Sequence, residues 1–107
     1  MKLMWFHLMP YTELPEDFRE RTNSVWVDIP SALFRPERAH VMYNEFLDEM
    51  QYAAEAGFHA VCVNEHHSNG YGLMPSPNLM AAALARGTTD AAICGMGNSL
   101  ALYNQPT

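Results

Sequence analysis

The chain has 107 residues, enough for one small domain that buries roughly 60 to 65% of the surface its unfolded form exposes. At 49% hydrophobic and 17% charged, its composition is that of an ordered globular protein and excludes a disordered tail. Six basic residues against twelve acidic ones give a net charge of −6. The basic residues are scattered, so no surface is prepared for a nucleic-acid backbone.

No apolar stretch approaches the roughly 18 residues of a membrane span. The amino terminus, MKLMWFHLMPY, has no small-residue cleavage site and is broken at Pro10, so it reads as a first strand and not as a signal peptide. Cys62 and Cys94 each sit inside an apolar run, the ordinary setting of a buried free thiol, which points to a reducing, cytoplasmic location.

Residues 2–9 form a nearly uninterrupted apolar run, as expected of a strand covered on both faces of a parallel sheet. Residues 10–35 follow as a long irregular segment with Pro10, Pro15 and Pro30, the charged cluster EDFRER and the aromatic patch VWVDIP. Loops of this length inside compact domains are either functional or floppy insertions, and Trp26 needs a partner surface in either case. From Pro36 to Ala56 the pattern turns helical: Tyr43, Phe46, Leu47, Met50, Ala53 and Ala54 recur at spacings of three and four. Pro36 suits the first turn, and Gly57 suits the stop.

Residues 58–64, FHAVCVN, make a second strand. After the loop SNGYGLMPSP, Ser76 and Pro77 open a second helix that Gly87 ends, and residues 91–96 make a third strand. The order is strand, long loop, helix, strand, loop, helix, strand, which predicts an α/β fold of repeated βα units with a parallel sheet. Three such strands leave edges unpaired, so the chain is expected to be the amino-terminal portion of a larger βα protein.

Chemistry in parallel sheets gathers at the carboxyl ends of strands, where the sequence places Glu65, His66 and His67. Side chains alternate along a strand, so Glu65 and His67 should point one way and His66 the other. That alternation argues against one metal ion bound by all three, although His7 near the end of the first strand keeps a metal site with His66 and His67 open. An acid and base role asks for only one imidazole near neutrality. The structural alternative is one histidine packed in the core and the other solvated. Glu65 either orients a neighbouring group or bonds the wall of the sheet. Gly70 and Gly72 are turn residues, since no phosphate-binding glycine pattern follows the strand directly. Gly95, Gly97 and Asn98 mark either close approach of the backbone to a ligand or a simple bulge.

The helix ending in AEAGFHAV, the triplet EHH, the loop and helix YGLMPSPNLMAAALARGT and the segment GNSLALYNQPT together resemble the bacterial luciferase-like flavin-dependent monooxygenases. The resemblance covers essentially the whole chain. It implies the first three βα units of a (β/α)8 TIM-type barrel, luciferase-like, with residues 10–35 as a long active-site loop. It also implies reduced flavin mononucleotide (FMN), supplied by a flavin reductase, or a deazaflavin, used with O2 to oxidise a small organic substrate. Carried over residue by residue, the resemblance makes His66 the acid and base group near the flavin, assisted by Glu65. Gly97, Asn98 and His67 would lie against the flavin, with a non-proline cis peptide between Gly97 and Asn98. His7, Tyr71 and Trp26 would line the substrate pocket, with Asp28 near it, and the flavin phosphate would be held by later strands. A homo-oligomer, commonly a dimer, is the expected assembly. Two other readings remain open: a non-catalytic, subunit-like partner of a full-length paralogue, and a metal-dependent hydrolase barrel using His7, His66 and His67.

Overall fold

In a computed structural model of the chain, which describes residues 1–27 and 29–99, the valine-rich run after Gly57 becomes the middle strand of a three-stranded parallel sheet. Strands β1 (Met4–Phe6), β2 (Ala60–Asn64) and β3 (Ala92–Met96) lie in the order β1-β2-β3. Trp5 pairs with Val61, and Val61 with Ile93. All of β2 is buried, as suits a strand with a neighbour on each edge and β-branched side chains that fill a pleated surface.

Two helices cover one face of this sheet. A four-residue helix, α1 (Phe18–Arg21), lies in the long connection, and α2 (Pro36–Glu55) and α3 (Pro77–Ala85) are the crossover helices. Pro36 stands at the start of α2, where its missing N–H leaves no bond unmade. At the other end Gly57 takes φ 94, a left-handed conformation that glycine adopts without strain. The Gly57 N–H then bonds the Ala54 carbonyl and the Phe58 N–H bonds that of Ala53, closing the helix in a Schellman motif. Ser76 stands where an N-cap was expected, but its hydroxyl makes no capping bond.

The buried stripe of α2, Ala39, Met42, Phe46, Met50 and Ala53, packs with Val61 and Val63 of β2 and with Leu84 of α3. Met42 and Met50 are fully covered, and each contributes about 1.5–3 kcal/mol by leaving water. The other face of the sheet carries Met4, Phe6, Cys62, Cys94 and Met96, and among the described residues no helix lies over it. Met4, Phe6 and Met96 are about half exposed there.

Two expectations need correction. The first strand is shorter than residues 2–9 and is exposed, because among the described residues β1 has a neighbour on one edge only and helices on one face only. The chain leaves it at Met9, which turns away with φ 49. The segment 10–35 is not irregular throughout: it contains α1, whose Phe18 is buried, and one turn of 3-10 helix at Ser31–Leu33. Nor is the segment loose. Tyr11 donates its hydroxyl to the Leu33 carbonyl and accepts the Arg35 N–H, while Arg38 grips Glu13 at 2.8 Å. Asp28 and residues 100–107 lie outside the described residues. Among the described residues no helix is long and apolar enough to cross a membrane.

Candidate functional site

β2 ends at Asn64, and the next three residues keep the alternation of the strand. Glu65 and His67 turn to one side, where His67 Nε2 and Glu65 Oε1 are 2.7 Å apart. His66 turns to the other, toward the long connection. The triplet is thus two half-sites.

His66 lies in the wall of a cavity of about 460 Å³ between the segment 10–35 and the loop after β2. Tyr11, Leu14, Ile29, Phe34 and Tyr43 supply much of its apolar lining. The imidazole is fixed from three directions. Trp26 and Tyr71 stack on each other with ring centres 4.1 Å apart, and His66 meets the first edge-on at 5.5 Å and the second at 5.2 Å. Behind it is Gly72, where a Cβ would stand 2.5 Å from the His66 ring and 3.0 Å from the Leu8 carbonyl oxygen. Only glycine leaves room for the ring in this place. The loop itself is organised by Asn69, whose side-chain oxygen accepts the N–H groups of Tyr71 and Gly72 and whose amide donates to the His67 carbonyl. Backbone bonds from Gly70 to the Val25 carbonyl and from Tyr11 to the Gly70 carbonyl join this loop to the long connection.

The second half-site is an open crevice lined by Glu65, His67, Gly97, Asn98 and Ser99. Glu65 Oε2 accepts the backbone N–H groups of Asn98 at 2.5 Å and Ser99 at 2.7 Å, so its carboxylate ties the end of β3 to the end of β2. Its side chain is 7% exposed. The His67 hydrogen bond, followed by those from Ser99 and Asn98, holds the Glu65 carboxyl below its ordinary value. Gly97 is required by this approach, because a Cβ there would lie 2.6 Å from that of Glu65. The cis peptide expected at Gly97 and Asn98 is not present, and the described residues contain none. The turn is made instead by Asn98 at φ 109, with its N–H caught by Glu65 and its side-chain oxygen by Asn78 of α3.

His7 belongs to neither half-site. Its ring is buried beside Phe46, its Nδ1 accepts the Met9 N–H at 2.9 Å, and its Nε2 donates to Glu49 at 2.8 Å. With both nitrogens engaged, it is a structural strut between the end of β1 and α2. The metal reading fails on the same geometry: His66 and His67 diverge, His7 is occupied elsewhere, and the described residues contain no group of three or more metal-ligating side chains.

Tyr43 was read from the sequence as part of the helical core stripe, yet it lines the cavity and donates its hydroxyl to the Leu73 carbonyl. Burial pushes its phenol up from the ordinary value. Only its spacing, one position from the Met42 line, hinted that it faces the loops. Asn64, also missed, is 2% exposed; its amide donates to the His7 carbonyl while its Oδ1 has no partner among the described residues. Comparison of the chain with models of protein families, with curated proteins and with solved structures finds no match.

Proposed function

We propose that the chain forms part of a luciferase-like (β/α)8 barrel and serves a flavin-dependent monooxygenase that oxidises a small organic substrate. The observation that carries this reading is His66, an imidazole held just past the carboxyl end of a parallel strand, in the wall of a largely apolar cavity of about 460 Å³. A cavity of that size and lining suits a small, largely apolar molecule. Trp26 and Tyr71 give the imidazole an aromatic surround, which limits water around any proton that His66 moves.

The residues fit the ring system of a flavin or deazaflavin. Gly97, with Glu65 packed on one side of it, brings backbone without a side chain of its own to the open crevice at the end of β3. Among the described residues no lysine or arginine lines either cavity, so the fit is to the ring and not to the phosphate. A bound reduced flavin supplies the electrons and activates O2. Of the chain's own residues, Glu65 would hold the Gly97 backbone on one side of the strand end, and on the other side His66 would hold or move a proton at an imidazole nitrogen within the apolar cavity.

The test is reductase-coupled turnover with reduced FMN, O2 and small apolar substrates, run beside a flavin fluorescence titration. His66→Ala should lower turnover on the order of 10²- to 10⁴-fold and leave flavin affinity unchanged. Equal turnover in the complete barrel removes His66 from the chemistry, and failure of that barrel to quench flavin fluorescence removes the cofactor.

A second reading, that the chain is a subunit-like partner without catalysis of its own, is favoured by the sheet face on which Met4, Phe6 and Met96 are about half exposed. A folded monomer in sedimentation at micromolar concentration would eliminate it.

A further inference from the structure

The face of the sheet turned away from α2 and α3 holds a pair of thiols that the flavin reading does not use. Cys62 of β2 and Cys94 of β3 are register partners in adjacent parallel strands, and both are free. Their neighbours in register, Val61 with Ile93, sit in the core against the helices, so the alternation of the strands puts both cysteines on the opposite face. Cys62 is buried and Cys94 partly so, with Phe6 flanking Cys62 across β1. Met96 lies two residues beyond Cys94 on the same face, and its flexible thioether is half exposed.

Spacing decides what two such sulfurs can do. Neighbouring strands run about 4.7–4.9 Å apart. A relaxed disulfide needs Cβ atoms about 3.5–4.5 Å apart, less than that spacing gives without a local shift. A single metal ion between the sulfurs asks less of the backbone: two metal–sulfur bonds of roughly 2.3 Å in line put the Sγ atoms about 4.6 Å apart, a separation that cysteines facing each other on strands at this spacing reach by rotation about χ1. Two-coordinate linear geometry with thiolates is the preference of soft monovalent d¹⁰ cations, Cu(I) and Ag(I) among them. The absence of three-residue clusters of His, Cys, Asp and Glu among the described residues is no obstacle, since a linear site takes two ligands.

We propose that Cys62 and Cys94 form a binding site for one soft monovalent cation of the Cu(I) class, bridged between β2 and β3. Binding replaces two S–H bonds by two metal–sulfur bonds, releases two protons to the solvent and moves no electron. Because it spans two strands, the ion also cross-links the sheet. The site is independent of His66 and of the flavin crevice.

The experiment is an anaerobic titration of the reduced chain with Cu(I) against a chromophoric Cu(I) chelator, with X-ray absorption on the loaded protein. The expected result is one Cu(I) held per chain, with two sulfur neighbours, and loss of that ion in both Cys62→Ser and Cys94→Ser. Circular dichroism establishes that each variant is folded. If Cys62→Ser, at the buried position, does not fold, Cys94→Ser at the more exposed one and the absorption spectrum of the wild type carry the test. Wild-type protein that loses all its copper to the chelator would overturn the proposal. So would variants that keep as much copper as the wild type, since the ion would then sit on the other methionines and histidines of the chain.

Discussion

Alanine at position 72 is expected to cost the fold about 1–2 kcal/mol and to drive His66 from its cavity. The added methyl would stand 2.5 Å from His66 Cδ2 and 3.0 Å from the Leu8 carbonyl oxygen. Overpacking of this kind costs about 1–3 kcal/mol. Loss of unfolded-chain entropy on replacing glycine returns about 0.4–1 kcal/mol, so the net remains destabilising. The ring cannot swing aside freely, because Trp26 and Tyr71 flank it at 5.5 and 5.2 Å. For a domain of this size the change lowers Tm by roughly 5–15 °C, and it lowers the urea midpoint without altering the slope. The decisive assay is the double-mutant cycle with His66→Ala. Removing the ring should relieve most of the penalty of Gly72→Ala, leaving the part due to the Leu8 carbonyl, so the two changes should be strongly non-additive. Additivity within about 0.5 kcal/mol would refute the claim that Gly72 exists to seat His66.

Glu65 has its carboxyl held below the ordinary value of 4.5, so its clamp on Asn98 and Ser99 is fully present above 4.5 and is lost as pH falls through the lower folded-state value. Amide exchange at Asn98 and Ser99 should therefore quicken on acidification, and Glu65→Gln should flatten that dependence; parallel profiles would exclude the clamp. Tyr43→Phe should cost about 1 kcal/mol in chemical denaturation, because the Leu73 carbonyl loses its donor. The Tyr43 phenol is raised above its ordinary value of 10.0 by burial, so the stability it gives is present below that value and lost as pH rises through the folded-state value. The phenylalanine variant should accordingly lose part of its alkaline sensitivity, read from Tm against pH. Alkylation followed by mass spectrometry should label Cys94 well before Cys62, which is buried and whose thiol burial pushes up. Equal rates would mean that β2 is not covered as described.

Much of this molecule was written in its periodicities. The stripe of α2, the stop at Gly57 and the valine-rich central strand follow from residues within a few positions of one another, because helix and strand repeats are local properties of the backbone. Strand alternation even foretold that His66 would part from Glu65 and His67. Tertiary structure decided what each of them meets. His7 looked like a pocket residue until Glu49 and the Met9 N–H, brought to it by α2 and the turn after β1, took both of its nitrogens. Trp26 found Tyr71, and Glu65 found the amides of Asn98 and Ser99, across 45 and 33 to 34 residues of chain, distances over which no local pattern speaks. The pairing of Cys62 with Cys94 is of the same kind: each reads in sequence as a lone buried thiol, and only the register of β2 against β3 sets them side by side.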